Sequence, residues 1–114
     1  VANKKQIIAE SIRNKIIAGG IKEYAPIRIT ECAAQHRVNR KTASDAIHIL
    51  VDEGLLVCRL GIGWVVADGA REAATAIAME ILAIEIPDLV AKAGALGLDR
   101  AKFVMMVENA FRNI

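Results

Sequence analysis

The sequence predicts a mainly α fold with one small β-hairpin, and three observations lead there. Apolar residues recur every third or fourth position through most of the chain. Two short runs of β-formers, residues 55–60 and 64–67, flank Gly61-Ile62-Gly63. Of the 114 residues, 54% are hydrophobic but only 4% aromatic, so the core must be built from Ile, Leu, Val and Ala. That composition suits packed helices better than an aromatic-rich sandwich.

Taken in order, Asn3 caps a first helix on which Ile8, Ile12 and Ile16 recur every fourth residue, joined by Ile7 and Ile17. Gly19-Gly20 ends it. An extended piece is expected around Ile27-Arg28-Ile29, after Pro26. Thr30 is the expected N-cap of a short helix from Glu31 to about His36, and Asn39 that of another from Arg40 to about Glu53. Ala43, Ala46, Ile47 and Leu50 give this second helix one buried stripe, and Gly54 stops it. The two β runs then form a hairpin. Two short helices meeting at a tight turn and followed by a hairpin are the layout of a winged helix-turn-helix.

Residues 70–86 return to helix and are nearly all Ala, Ile, Leu and Met. A helix apolar over most of its circumference needs cover on more than one side. Pro87 is expected to kink or interrupt it, and Gly97 to end it. Asp99 caps a last helix with Phe103, Val107 and Phe111 on one face. This tail is too short to bury its own surface. A second copy is the expected cover, over Ile77, Ile81, Leu82, Ile84, Leu89, Val90, Phe103, Val107 and Phe111. The domain expectation is therefore a winged helix-turn-helix DNA-binding domain over 1–68 and a helical dimerisation tail over 69–114. The alternative has the tail folding back on its own DNA-binding domain.

The formal net charge of +2 is unevenly spread. Residues 1–68 hold ten Lys/Arg against seven Asp/Glu, and residues 69–114 hold five against six. The basic excess lies in the half expected to meet a polyanion. Cys32 and Cys58 are far apart and form no CxxC pair, so a reducing cytoplasm, on the nucleoid, is the expected location. No signal-peptide core follows the first residues, and Glu80, Glu85, Pro87 and Asp88 interrupt the most apolar stretch, so no membrane role is expected. His36, His48 and the two cysteines fit no common ligand spacing; no metal and no cofactor are expected. Nucleophile-elbow, phosphate-loop and HExxH motifs are all missing, which argues against an enzyme.

From about Ile12 to Ala67 the chain resembles the GntR-type regulators of bacteria. The resemblance rests on an ordered succession: Ile17-Ala18-Gly19-Gly20, then Val38-Asn39-Arg40-Lys41-Thr42-Ala43-Ser44-Asp45-Ala46-Ile47, then Leu50-Val51-Asp52-Glu53-Gly54-Leu55-Leu56, then Gly61-Ile62-Gly63-Trp64-Val65-Val66. The tail is similar in size and character to the two-helix extension of the YtrA subgroup, with no room for the large effector domain of other branches. The resemblance implies a homodimer that binds double-stranded operator DNA and acts mostly as a repressor. A small-molecule effector of unidentified class has its expected place between the wing domain and the tail, although no convergent polar set marks a pocket there. The chain departs from the family where Pro-Ser and Glu-Arg usually stand, since it reads Pro26-Ile27-Arg28-Ile29-Thr30-Glu31. It has Ser44 for a frequent recognition-helix arginine and Ile62 for a wing arginine, so its arginine set is thinned.

Arg40, in the first turn of the recognition helix, is the foremost candidate for a bidentate contact to O6 and N7 of guanine. Lys41, Ser44 and His48 share the face opposite the apolar stripe, which is also what any solvated helix face looks like. Thr42 either bonds a phosphate or supports the turn. Asn39 is chiefly a cap, and a capped helix start also offers N–H groups to phosphate. Asp45 is expected to pair with Lys41. Arg28, Arg37 and Arg59 are candidate phosphate contacts, with Arg28 or Thr30 standing in for the missing family arginine. Gly61 and Gly63 serve the wing turn, and Trp64 packs at its base. Two other classes compete: a winged-helix protein- or RNA-interaction module, and a thiol- or metal-responsive sensor acting through Cys32 or Cys58.

Overall fold

A computed structural model describes residues 3–114. Among them are five helices and one two-stranded antiparallel sheet: α1 (Lys4–Ala18), α2 (Ile29–His36), α3 (Arg40–Asp52), β1 (Leu56–Arg59), β2 (Gly63–Val66), α4 (Ala70–Ala95) and α5 (Arg100–Arg112). The chain forms two compact units, Val1–Ile77 and Ala78–Ile114.

In the first unit α1 starts at a full capping box. The Asn3 side chain accepts the Gln6 N–H at 3.0 Å, and the Gln6 side chain accepts the Asn3 N–H at 3.3 Å. Ile8, Ala9, Ile12 and Ile16 face the core. The expected stripe of α3 is entirely buried, with Ala43, Ala46, Ile47 and Leu50 all without exposed surface. Asn39 caps α3 as expected, its side-chain oxygen accepting the Thr42 N–H at 2.8 Å.

Two expectations are corrected between α1 and α2. Thr30 is not the N-cap: α2 begins at Ile29, and Arg28 holds the extended N-cap position without a side-chain cap bond. The extended piece likewise begins earlier, running over Ala25–Arg28 after Tyr24 in a left-handed turn. There the Tyr24 N–H donates to Val66, the Val66 N–H to Ala25 and the Ile27 N–H to Trp64, and Pro26 bridges to Val65. Pairing to β2 keeps the chain extended only as far as Arg28. Ile29, half-buried against the core, enters the helix.

The hairpin pairs Leu56 with Val66 and Arg59 with Gly63. Gly61 and Gly63 both have left-handed backbones, φ 81° and 102°, which is why glycines flank the turn. The core continues past the hairpin into the first two turns of α4 through Ala70, Ala74 and Ile77.

One interaction of this unit had no signature in the sequence. Arg13, on α1 and almost fully buried, donates twice from Nη2 and once from Nε to the carboxylate of Glu53, the C-cap of α3, at 2.7–3.2 Å. Cys32 is buried on α2, and desolvation pushes its thiol pKa up; Cys58 is exposed on β1.

In the second unit α4 runs unbroken through Pro87, contrary to the expected interruption. Proline removes only the rung to the Ala83 carbonyl, and the helix on either side carries the chain past it. The helix ends as expected: Gly97 is left-handed at φ 79°, and the Leu98 N–H returns to the Ala93 carbonyl at 3.0 Å. Asp99 caps α5 by accepting the Lys102 N–H at 2.9 Å. Ala93 is buried, but α5 has no buried residue at all. No helix of the described residues is long and apolar enough to cross a membrane.

Two outcomes test this packing. Glu53→Gln leaves the Arg13 guanidinium buried without its counter-charge. Because the Glu53 side chain is 21% exposed, the expected loss is about 2–3 kcal/mol, below the value for a fully buried pair, read from urea denaturation. A midpoint equal to the native one would rule out a structural role for the pair. Under native conditions iodoacetamide is expected to label Cys58 and to reach Cys32 only after denaturant is added, as mass spectrometry would record.

Candidate nucleic-acid interface

Because α3 buries its Ala/Ile/Leu stripe, its opposite face is left to solvent. Arg40 is exposed in the first turn, next to the capped N-terminus where N–H groups and the helix dipole favour an anion. Its guanidinium is already oriented, because Nη1 donates to the Thr30 hydroxyl of α2 at 2.9 Å. One donor is used and the rest of the fork stays free, which suits a planar two-acceptor partner. Thr30, expected as a contact in its own right, thus stands behind Arg40.

Along the same face Lys41 pairs with Asp45 at 3.1 Å, the expected i, i+4 bridge. The His48 Nδ1 lies 2.7 Å from the Ser44 carbonyl oxygen. A carbonyl only accepts, so Nδ1 is the donor in this contact. The His48 ring stands edge-on to Trp64, centroids 5.9 Å apart, so Trp64 packs at the wing base as expected and ties β2 to α3. Thr42 is half-buried, with its N–H committed to Asn39.

The wing places Gly61 and Gly63 around an exposed tip that carries Leu60 and Ile62. Arg59, the last residue of β1, lies over the Tyr24 ring with its guanidinium carbon 5.0 Å from the centroid. The Tyr24 hydroxyl donates to Asp68 at 3.2 Å. The negative charge of Asp68, and the bond it accepts, push the Tyr24 pKa up. Reading the residues one by one missed Tyr24, whose only signal was its place two residues before Pro26. Arg28 and Arg37 are exposed at the start of α2 and in the turn that follows it.

The structure therefore joins Arg40 to Thr30, Ser44 to His48 and His48 to Trp64, and Arg59 to Tyr24, itself bonded to Asp68, while Arg28 and Arg37 stand apart from these groups. Among the described residues no group of three or more His, Cys, Asp or Glu could hold a metal. A groove of about 430 Å³ lies within the first unit between the end of α1, residues 20–28 and α2, with Ile12, Ile27 and Cys32 in its walls. Of the residues expected at a dimer interface, Ile81, Leu82, Ile84, Leu89, Val90, Val107 and Phe111 are exposed in the second unit. Phe103 is half-buried, and Ile77 packs against the core of the first unit.

Comparison with known proteins agrees with this geometry. Residues 4–66 match the model of the bacterial regulatory proteins of the gntR family. No curated protein sequence matches the chain. Among solved structures, the chain is similar to a GntR family transcriptional regulator from Listeria monocytogenes, with 17% identity over 95% of each chain and a TM-score of 0.77. It is also similar to YtrA from Sulfolobus acidocaldarius, a GntR-family transcription factor, with 23% identity over 99% of this chain and 91% of the other and a TM-score of 0.55. A third likeness is to BusR of S. agalactiae, solved in complex with its busAB-promoter DNA, with 20% identity over 99% of this chain and 57% of the other and a TM-score of 0.62. With a family model matched over more than half of its length, and a winged helix-turn-helix that carries the matched residues, the chain belongs to the GntR family of bacterial regulatory proteins.

Proposed function

We propose that the chain is a transcription repressor that binds an inverted-repeat operator in double-stranded DNA as a homodimer, without catalytic activity of its own. The observation that carries the DNA reading is Arg40, exposed beside the capped start of α3 and held there by Thr30. A recognition helix lying in the major groove with its N-terminal residues at the base edges makes direct use of a pre-aimed guanidinium at that position. Arg59, Arg28 and Arg37 supply phosphate contacts, which fix register without reading sequence. BusR, solved with promoter DNA, supports the assignment.

The dimer reading rests on the second unit. Two helices leave Ile84, Leu89, Val90, Met105 and Phe111 about half exposed or more, far beyond the scattered apolar residues of an ordinary monomer surface. Residues 69–114 are accordingly assigned as the dimerisation tail, and a twofold partner is the expected cover. Two recognition helices about 34 Å apart then meet successive major grooves, and occupancy near a promoter excludes polymerase.

Selection of bound duplexes from a random pool is the direct test of this reading, and enrichment of a twofold-symmetric site is the expected result. Binding that is steeply salt-dependent but enriches no sequence would reduce the protein to an unspecific phosphate binder. Arg40→Ala is expected to weaken operator binding by about 1–3 kcal/mol and to relax preference at one base pair per half-site. Equal losses on operator and random duplex would remove its base-reading role. Ile81→Asp is expected to convert the dimer to monomer in sedimentation and to weaken operator binding far more than binding to a single half-site. A variant that still sediments as a dimer would put the interface elsewhere.

A further inference from the structure

Tyr24 has an unusual backbone for its size. Its φ is 66°, in the left-handed region that glycine occupies freely and bulky side chains enter only under strain. The ring does not repay that strain by filling the core, because the residue is 51% exposed. Instead three contacts hold it. Its N–H donates to the Val66 carbonyl at 2.9 Å, its hydroxyl donates to Asp68 at 3.2 Å, and its ring face lies against the Arg59 guanidinium at 5.0 Å. The first two fix the ring; the third is what the fixed ring touches.

The way Arg59 is held matters for what it can still do. A carboxylate partner occupies N–H donors, as Asp45 does for Lys41. An aromatic face attracts the cation through its quadrupole and takes up none of the in-plane donors. Asp68, the nearby carboxylate, is engaged by the Tyr24 hydroxyl, and among the described residues Arg59 makes no salt bridge. Arg59 is thus an ordered, exposed cation at the end of β1 with its hydrogen-bonding edge available.

We propose that Tyr24 is a positioning residue for the wing, seating Arg59 so that its guanidinium edge is presented to a DNA phosphate before binding. This rests on the DNA-binding reading above and adds to it the residue that pre-organises the wing contact. Ordering a long side chain on binding carries an entropic cost, and a seat that orders it beforehand lowers that cost.

The test compares Tyr24→Gly, Tyr24→Phe, Arg59→Ala and the Tyr24→Gly/Arg59→Ala double variant. Fluorescence anisotropy is followed on the selected operator and on a random duplex across a salt series. Glycine suits φ 66°, so Tyr24→Gly removes the ring without demanding a new backbone, and thermal melts verify its fold. The seat predicts that Tyr24→Gly weakens both duplexes by about two- to tenfold without changing base preference. It also predicts that Tyr24→Phe, which keeps the ring but loses the bond to Asp68, falls between native and Tyr24→Gly, and that the double variant binds no more weakly than Arg59→Ala. Arg59→Ala should lower the slope of log K against log salt by about one. In the free protein, NMR should find the Arg59 δ-methylene protons shifted by the ring current in the native chain, less so in Tyr24→Phe, and unshifted in Tyr24→Gly. The proposal is overturned if Tyr24→Gly binds as tightly as the native protein, if the two losses multiply in the double variant, or if Arg59→Ala has no effect. Failure of the native protein to bind either duplex would overturn the DNA-binding reading and this proposal together, a result visible before any variant is made.

Discussion

The proposed DNA interface depends on the orientation of α3 about its own axis, and the Arg13–Glu53 pair sets that orientation at one end. Four apolar side chains with no exposed surface already press α3 against α1 and α2. Apolar packing is tolerant of small rotations, because Ala, Ile and Leu contacts are non-directional. A bidentate guanidinium–carboxylate pair is directional, and it ties the middle of α1 to the C-cap of α3. With Glu53 tied there and Asn39 capping the other end, the polar face that begins at Arg40 points away from the core.

That face is economical in free charge. Lys41 is engaged by Asp45, and one Arg40 donor by Thr30. A neighbour on the 24–30 segment touches each of the arginines foremost in the interface: Thr30 behind Arg40 and Tyr24 beneath Arg59. The segment can do this because backbone bonds to β2 anchor it before it enters α2. One stretch of chain therefore completes the sheet edge, starts a helix and orients two cations.

The second unit follows a different rule. Its helices end at well-formed caps, yet its apolar side chains lack cover within the unit, so local helix formation is complete while burial is not. The hydrophobic effect rewards only area removed from water. The proposed homodimer would meet this requirement with no further sequence and would supply the twofold symmetry that an inverted repeat needs.

Local chemistry was enough to read most of the fold from the residues in order. Caps at Asn3, Asn39 and Asp99, the α3 stripe and the glycine-flanked hairpin are all decided by groups within four residues of one another, so their signatures are local. The place of Arg40 in the first turn of α3 was legible for the same reason: position relative to a helix start is a one-dimensional fact. Tertiary structure decided where long-range partners compete with local preference. Pairing to β2 held Arg28 extended and took the cap from Thr30, turning Thr30 into a support for Arg40 ten residues away. The contacts of Arg13 with Glu53 and of Tyr24 with Arg59 and Asp68 span 35 to 44 residues. No periodicity encodes such pairs; they exist only once packing brings separate elements together, because directional contacts between distant side chains are a consequence of the fold rather than of its local rules.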